Sequence, residues 1–329
     1  MNARCKYRED AMILCNEMPA EGFGRARMTA LAAAAALMLL GANLARAADG
    51  QTFPSPEAAA EALDSAWASG KTDALLAIFG PDGARLVSSG DPVAEKDARD
   101  RLAAAYAEAH RIEPDGKARM IIVLGKNAWP YPIPLVQQDG AWRFDVAAGA
   151  EQIIDRRIGH DERTAIRVCR TYVEAQREYA AKDRQGDGLH EFAQKVASTD
   201  GRHDGLYWPA TQAGDESPLG PLVATAEAQG YGAPAAGVHR PFHGYYYLIL
   251  TRQGKSASGG ARNYIVNGHM TRGFGLVAFP ATYGDSGVMT FVVNQNGIVF
   301  EKNLGPDTDA IARQMREYDP DRTWKVAQP

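Results

Sequence analysis

Apolar residues recur at three-to-four spacing through residues 151–198, where Ile166, Cys169, Tyr172, Val173, Gln176, Tyr179 and Ala180 share one stripe. Arg163, Arg167, Arg170, Glu174, Arg177 and Lys182 take the other faces, so the pattern predicts a long amphipathic helix, a spine between two units. The Asp183-Arg184-Gln185-Gly186-Asp187-Gly188 run should break it, and a second helical piece is expected over 189–197. Upstream, Ser55-Pro56-Glu57 combines an N-cap, a proline at the first helical position and an acid in the first turn. Helices are predicted over 56–68, 72–79 and 94–110, with Gly70 and Gly80-Pro81 as stops. The pattern then turns β-rich at 118–124, and two short runs, 134–138 and 141–146, flank the hairpin signal Asp139-Gly140. Three prolines in Trp129-Pro130-Tyr131-Pro132-Ile133-Pro134 forbid a central strand there.

Downstream, Ser217-Pro218 should cap a helix reaching Gly230. Strands are predicted over 245–250, 263–266, 274–279, 288–293 and 298–301, with Asn296-Gly297 as a primed hairpin turn, 255–260 as a flexible loop tip, and a last helix over 309–318. The expected fold class is α+β. Helices plus an antiparallel meander over 48–149 resemble the nuclear-transport-factor-2-like fold, and a spine helix packed on a second antiparallel meander follows over 150–329.

At the N-terminus, Arg25 and Arg27 precede an apolar run that ends in Ala45-Arg46-Ala47, the form of a secretory signal cleaved after Ala47. The run is alanine-rich and falls short of the roughly 20 strongly apolar residues a spanning helix needs, so no stable membrane span is expected after processing. The expected address is the periplasm or the exterior. Cleavage removes six of 36 basic and four of 40 acidic residues, leaving 30 against 36 and a net charge of −6. A mildly acidic chain argues against a nucleic-acid partner. Cys169 alone survives processing, so no internal disulfide forms and a buried, inert thiol is expected.

Candidate chemistry is sparse. Gly284-Asp285-Ser286-Gly287 has the form of a serine-protease nucleophile run, yet Val288-Met289 follows it and a turn between strands explains it equally. His239 and His243 stand four apart with Pro241 between them and no third ligand at a recognisable spacing. The Asp183 loop has EF-hand acids at its first and fifth positions, but Gln185 and Gln194 occupy the third and twelfth; a turn with Gly188 at positive φ is the reading. No metal and no cofactor is therefore expected. Arg156 and Arg157, beside Gly159 and His160, suit either an anion or a salt bridge across the seam of the two units. Glu174 and Glu178 read as members of i,i+4 ion pairs. Trp129, Tyr207, Trp208 and Tyr245 are the aromatic candidates for stacking on a glycan or docking a partner, and in Tyr245-Tyr246-Tyr247 alternation leaves one face for exposure.

The motifs Trp129-Pro130-Tyr131-Pro132-Ile133-Pro134-Leu135, Arg156-Arg157-Ile158-Gly159, Asp204-Gly205-Leu206-Tyr207-Trp208-Pro209, Ser217-Pro218-Leu219-Gly220, His243-Gly244-Tyr245-Tyr246-Tyr247 and Gly287-Val288-Met289-Thr290-Phe291 come in an order that resembles the bacterial family called domain of unknown function 2950. The resemblance covers roughly 53–324 and implies secretion and a shared architecture, with no activity attached. More loosely, the C-terminal half resembles pilin-like periplasmic domains. Two functions are carried forward. One is a non-enzymatic binding or scaffolding protein whose partner is an envelope protein or glycan. The other is a hydrolase of an envelope polymer or peptide, with Ser286 or His243 as its candidate residues. A polar cleft converging on a histidine of shifted pKa would favour the hydrolase; an exposed aromatic patch would favour binding.

Overall fold

A computed structural model describes residues 50–328 apart from 117, 236 and 238; the predicted signal segment lies outside the described residues. The described residues form one compact unit. Helix α1 (Pro56–Ser69) starts where Ser55 accepts a hydrogen bond from the Ala58 amide and ends at Gly70, whose φ of 67° is the left-handed cap. It is followed by α2 (Thr72–Phe79), the short α3 (Ala84–Val87) and α4 (Pro92–Glu108). These helices pack on an antiparallel sheet of β1 (His110–Pro114), β2 (Arg119–Leu124), β3 (Trp129–Pro130), β4 (Leu135–Gln138) and β5 (Ala141–Phe144). Their shared core includes Leu63, Trp67, Phe79, Ile122, Ile133 and Leu135. The Asp139-Gly140 hairpin forms as expected, both residues having positive φ (52° and 79°) between paired Gln138 and Ala141.

The spine is a single helix, α5 (Val146–Ala180), capped by Asp145. The domain boundary expected between Gly149 and Ala150 falls inside its first turn, so one helix serves both cores. Its N-terminal part, through Val146, Ala150 and Ile153, packs on the first core. Ile166, Cys169, Tyr172, Val173 and Tyr179 pack on the second. Each such buried side chain stabilises by about 1.5–3 kcal/mol, against under about 1 kcal/mol for an exposed ion pair, so the stripe holds the helix in place. Cys169 is the buried free thiol expected, its pKa pushed up to about 12 by burial. Arg177 does not pair with Glu174 or Glu178; it donates to the Gln295 carbonyl at 2.9 Å.

The second sheet runs in the order β15 (Lys325–Val326), β13 (Phe300–Asn303), β12 (Met289–Asn294), β11 (Gly275–Pro280), β6 (Tyr245–Leu250), all antiparallel. Strict alternation sends Tyr245, Leu276, Ala278, Phe291 and Val293 toward α5. Leu250, Val277, Phe279 and Val292 go to the opposite face, under α7 (Thr308–Gln314). Both faces are therefore covered, so of the two readings of Tyr245–Tyr247, core packing and an exposed face, the first holds: Tyr246 lies beneath the Arg313 guanidinium, 4.6 Å from its ring centre.

Other expectations are corrected. Residues 189–197 are irregular, held by the Phe192 to Met270 bridge and by Gln176, whose amide both accepts from the Ala193 amide and donates to its carbonyl at 2.8 Å. The helix α6 (Gly220–Ala228) starts beyond Ser217, whose hydroxyl does not cap it. Pairing of β12 with β13 stops at Val292 with Phe300, and Asn296 lacks the positive φ a two-residue primed turn requires. The last helix ends at Gln314, and the 255–260 loop is tied down by the Asp319 carboxylate, which accepts from the Ser256 and Ala257 amides. No helix among the described residues is long and apolar enough to cross a membrane.

Candidate functional site

The two cores meet along a cleft of about 680 Å³, with α4 and the first sheet on one side and the α5 segment around Arg156 on the other. Asp91 joins two residues of its lining, Val93 and Tyr231. As N-cap of α4 this residue accepts from the Val93 and Ala94 amides with one oxygen, while the other accepts from the Tyr231 hydroxyl and the Gly244 amide, both at 2.9 Å. A single buried carboxylate thus fastens the first half to two loops of the second. Gly244 is required here: a Cβ would lie 2.5 Å from Asp161 Oδ2 and 2.9 Å from Ser286 Cβ, and its φ is +73°.

Asp161 interrupts the apolar stripe of α5, and its side chain is 6 % exposed. Burial raises its pKa, opposed by the His160 hydrogen bond and the Arg157 charge. His160 Nδ1 lies 3.0 Å from Asp161 Oδ1. With Asp161 ionised, its carboxylate can only accept, and a neutral His160 ring then carries its proton on Nδ1 and a lone pair on Nε2. The His243 ring faces that of His160, 5.7 Å between centroids, with Nε2 3.0 Å from Gln229 Oε1. Burial, and then the neighbouring His160, lower the pKa of His243.

The sign of the resulting pH dependence follows. Between its lowered native pKa and the ordinary 6.5, His243 binds a proton in the unfolded chain and not in the native one, so stability is lost as pH falls through that window. Asp161 works in the opposite sense, since its native pKa is raised: stability falls as pH rises from 3.8 through the native value. His243→Asn, which tolerates the positive φ of 48° at this position, should reduce the drop in urea midpoint between about pH 7.5 and pH 5.5. An undiminished drop would mean that His243 is not what acidification strains.

The cleft wall is cationic. Its carboxylates are largely occupied: Glu95 accepts from the Ser89 and Gly90 amides, Asp97 pairs with Arg101, and Glu108 pairs with Lys126. Arg157 donates to the Arg85 and Leu86 carbonyls at 3.0 and 2.6 Å, covering the C-terminus of α3, and burial lowers its pKa. The salt bridge expected across the seam is instead made by Arg85 and Asp285 at 2.6 Å. Arg156 lies over the Trp129 ring, 5.7 Å from its centre, and Arg99 Nε is buried without a hydrogen-bond partner. Neither Arg99 nor Arg156 pairs with a carboxylate among the described residues.

Of the residues singled out from the sequence, Trp129, Arg156, Arg157 and His243 converge on this cleft. The others lie elsewhere. Tyr207 and Trp208 border a separate groove of about 310 Å³, where Trp208 stacks on His203 and donates to the Asp215 carbonyl. Tyr245 is wholly buried, donating to the Met289 carbonyl. Ser286 is buried as well, and its hydroxyl is used within its own turn, donating to the Thr282 carbonyl and accepting from the Thr282 amide. Sequence reasoning missed Asp91, Arg99, Asp161 and Tyr231. One signal was available: Asp161 falls in register with Ile154 and Ala165, an acid at a core position.

A family model described as "Protein of unknown function (DUF2950)" matches residues 50–327. Neither the search among curated proteins nor that among solved structures found a match.

Proposed function

Because the chain belongs to the family described as Protein of unknown function (DUF2950), we propose a function from the cleft: a non-enzymatic binding protein of the cell envelope, exported and cleaved after Ala47, that holds an acidic glycan. The observation that supports it is the pair of guanidinium groups, Arg99 and Arg156, that pair with no carboxylate among the described residues on the wall of a 680 Å³ cleft, one of them over Trp129. A guanidinium forks two hydrogen bonds to a carboxylate, and an indole face stacks on a sugar ring. A uronate oligosaccharide should bind, with affinity falling as salt rises, and its neutral counterpart of equal length should not. Arg156→Ala should weaken binding about tenfold, the equivalent of one charge-assisted hydrogen bond of roughly 1.4 kcal/mol. Equal affinity for the neutral oligosaccharide, by calorimetry, would sink the assignment.

The His160 and Asp161 pair favours a second reading, a hydrolase of the same polymer, with His160 Nε2 taking a proton from water and Asp161 holding the ring. Release of new reducing ends by the wild type, lost in His160→Asn with binding retained, would establish it. Binding without release leaves the first reading standing.

A further inference from the structure

Away from the cleft, the main chains of Phe192 and Met270 meet at 2.8 Å, in the loop after α5 and in β10 (His269–Met270) respectively. This bridge sets Glu191 beside His269. The Asp183 carboxylate accepts from the Gln185, Gly186 and Gly188 amides, and the loop so folded carries Asp187 to the same point. His269 Nδ1 lies 3.1 Å from Glu191 Oε2 and 3.7 Å from Asp187 Oδ2. One ligand atom from each of the three lies within 4.8 Å of the others.

An imidazole nitrogen carries at most one proton, so His269 Nδ1 can satisfy only one of the two oxygens that converge on it. Glu191 is 5 % exposed, its other oxygen accepts from the Gln185 side-chain Nε2, and neither carboxylate pairs with Lys or Arg among the described residues. A carboxylate this deeply buried calls for more positive charge than one shared imidazole supplies. We infer that Asp187, Glu191 and His269 bind one divalent first-row transition cation, of which Zn²⁺ is the probe. Ligands about 2.0–2.2 Å from a common zinc stand roughly 3.0–3.6 Å apart, close to the two separations from His269 Nδ1, 3.1 and 3.7 Å. An imidazole with two carboxylates suits such a cation better than Ca²⁺, which takes six to eight oxygens. The bound ion ties the loop after α5 to the hairpin of β9 (Ile265–Val266) and β10.

The test is calorimetric titration of the untagged, chelator-treated protein with ZnCl₂ and, separately, CaCl₂, with thermal melts alongside. One Zn²⁺ per chain should bind and raise the Tm, whereas Ca²⁺ should do neither. His269→Ala and Glu191→Gln should each weaken Zn²⁺ binding by at least the roughly 10- to 100-fold that loss of a partner outside the coordination shell costs. The exposed Asp187→Asn covers the case in which the buried substitution disturbs folding; with an unchanged circular dichroism spectrum it should still lose about tenfold. No stoichiometric Zn²⁺ in the folded wild type overturns the site. So does Zn²⁺ binding that stays at the wild-type affinity in both His269→Ala and Asp187→Asn, which would place the ion on other histidines.

Discussion

Asp91→Ala is expected to lower the free energy of unfolding by about 3–7 kcal/mol. Its carboxylate caps α4 through the Val93 and Ala94 amides, and loss of such a cap costs about 1 kcal/mol. The Tyr231 hydroxyl and the Gly244 amide would be left buried without an acceptor, at about 1–3 kcal/mol each. Asp91→Asn separates the two contributions. Asparagine caps a helix as well as aspartate does, but its NH₂ cannot accept, so only the junction with Tyr231 and Gly244 should weaken. Urea unfolding of the three proteins measures the difference. A loss under about 1 kcal/mol for Asp91→Ala would show that the junction contributes little beyond the cap.

The second large effect reverses an ordinary sign. Glycine within a helix usually costs about 1 kcal/mol relative to alanine, so Gly149→Ala in α5 should stabilise on propensity alone. Here the added Cβ would stand 2.1 Å from the Pro132 carbonyl oxygen and 2.9 Å from Ile133 Cα, main-chain atoms of the rigid Trp129 to Leu135 segment. Destabilisation by about 3 kcal/mol is expected, because neither helix nor segment can yield without opening the core around Ile133. Gly159→Ala on the same helix is the control. Its Cβ would meet only the end of the Arg163 side chain, at 3.3 Å, so it should be neutral or stabilising by up to about 1 kcal/mol. Like effects in both variants would contradict the close approach at Pro132.

The elements legible in the sequence are those whose causes are local. Ser55 before Pro56, the glycine stops at 70 and 80, the Asp139-Gly140 turn and the alternation of 245–250 each specify a conformation within a few residues, and each formed as read. The misread elements depend on distant partners. Strand β1, where the pattern predicts no strand and only His110 falls within the helix predicted over 94–110, has no apolar alternation and exists because His110 through Pro114 pair with Leu124 through Met120. Residues 189–197 carry helical spacing, yet the Gln176 side chain binds the main chain of Ala193 in an extended form.

The candidate site divides along the same line. Arg156, Arg157, Trp129 and His243 could be picked out as residue types, because a guanidinium, an indole and an imidazole carry their chemistry wherever they stand. Whether such groups act together depends on what comes between them in space. Folding buried Tyr245 and Ser286 and brought the other four to one cleft. It also gave roles to Asp91 and Asp161, of which the sequence hinted only at Asp161, an acid in register with Ile154 and Ala165. Their surroundings come from loops 140 and more residues away along the chain for Asp91, and desolvation is a property of the packed interior. Composition, helix caps, turn types and strand alternation belong to the sequence alone. The cleft, its cluster of arginines and the shifted carboxyl and imidazole exist only once the two cores close around α5.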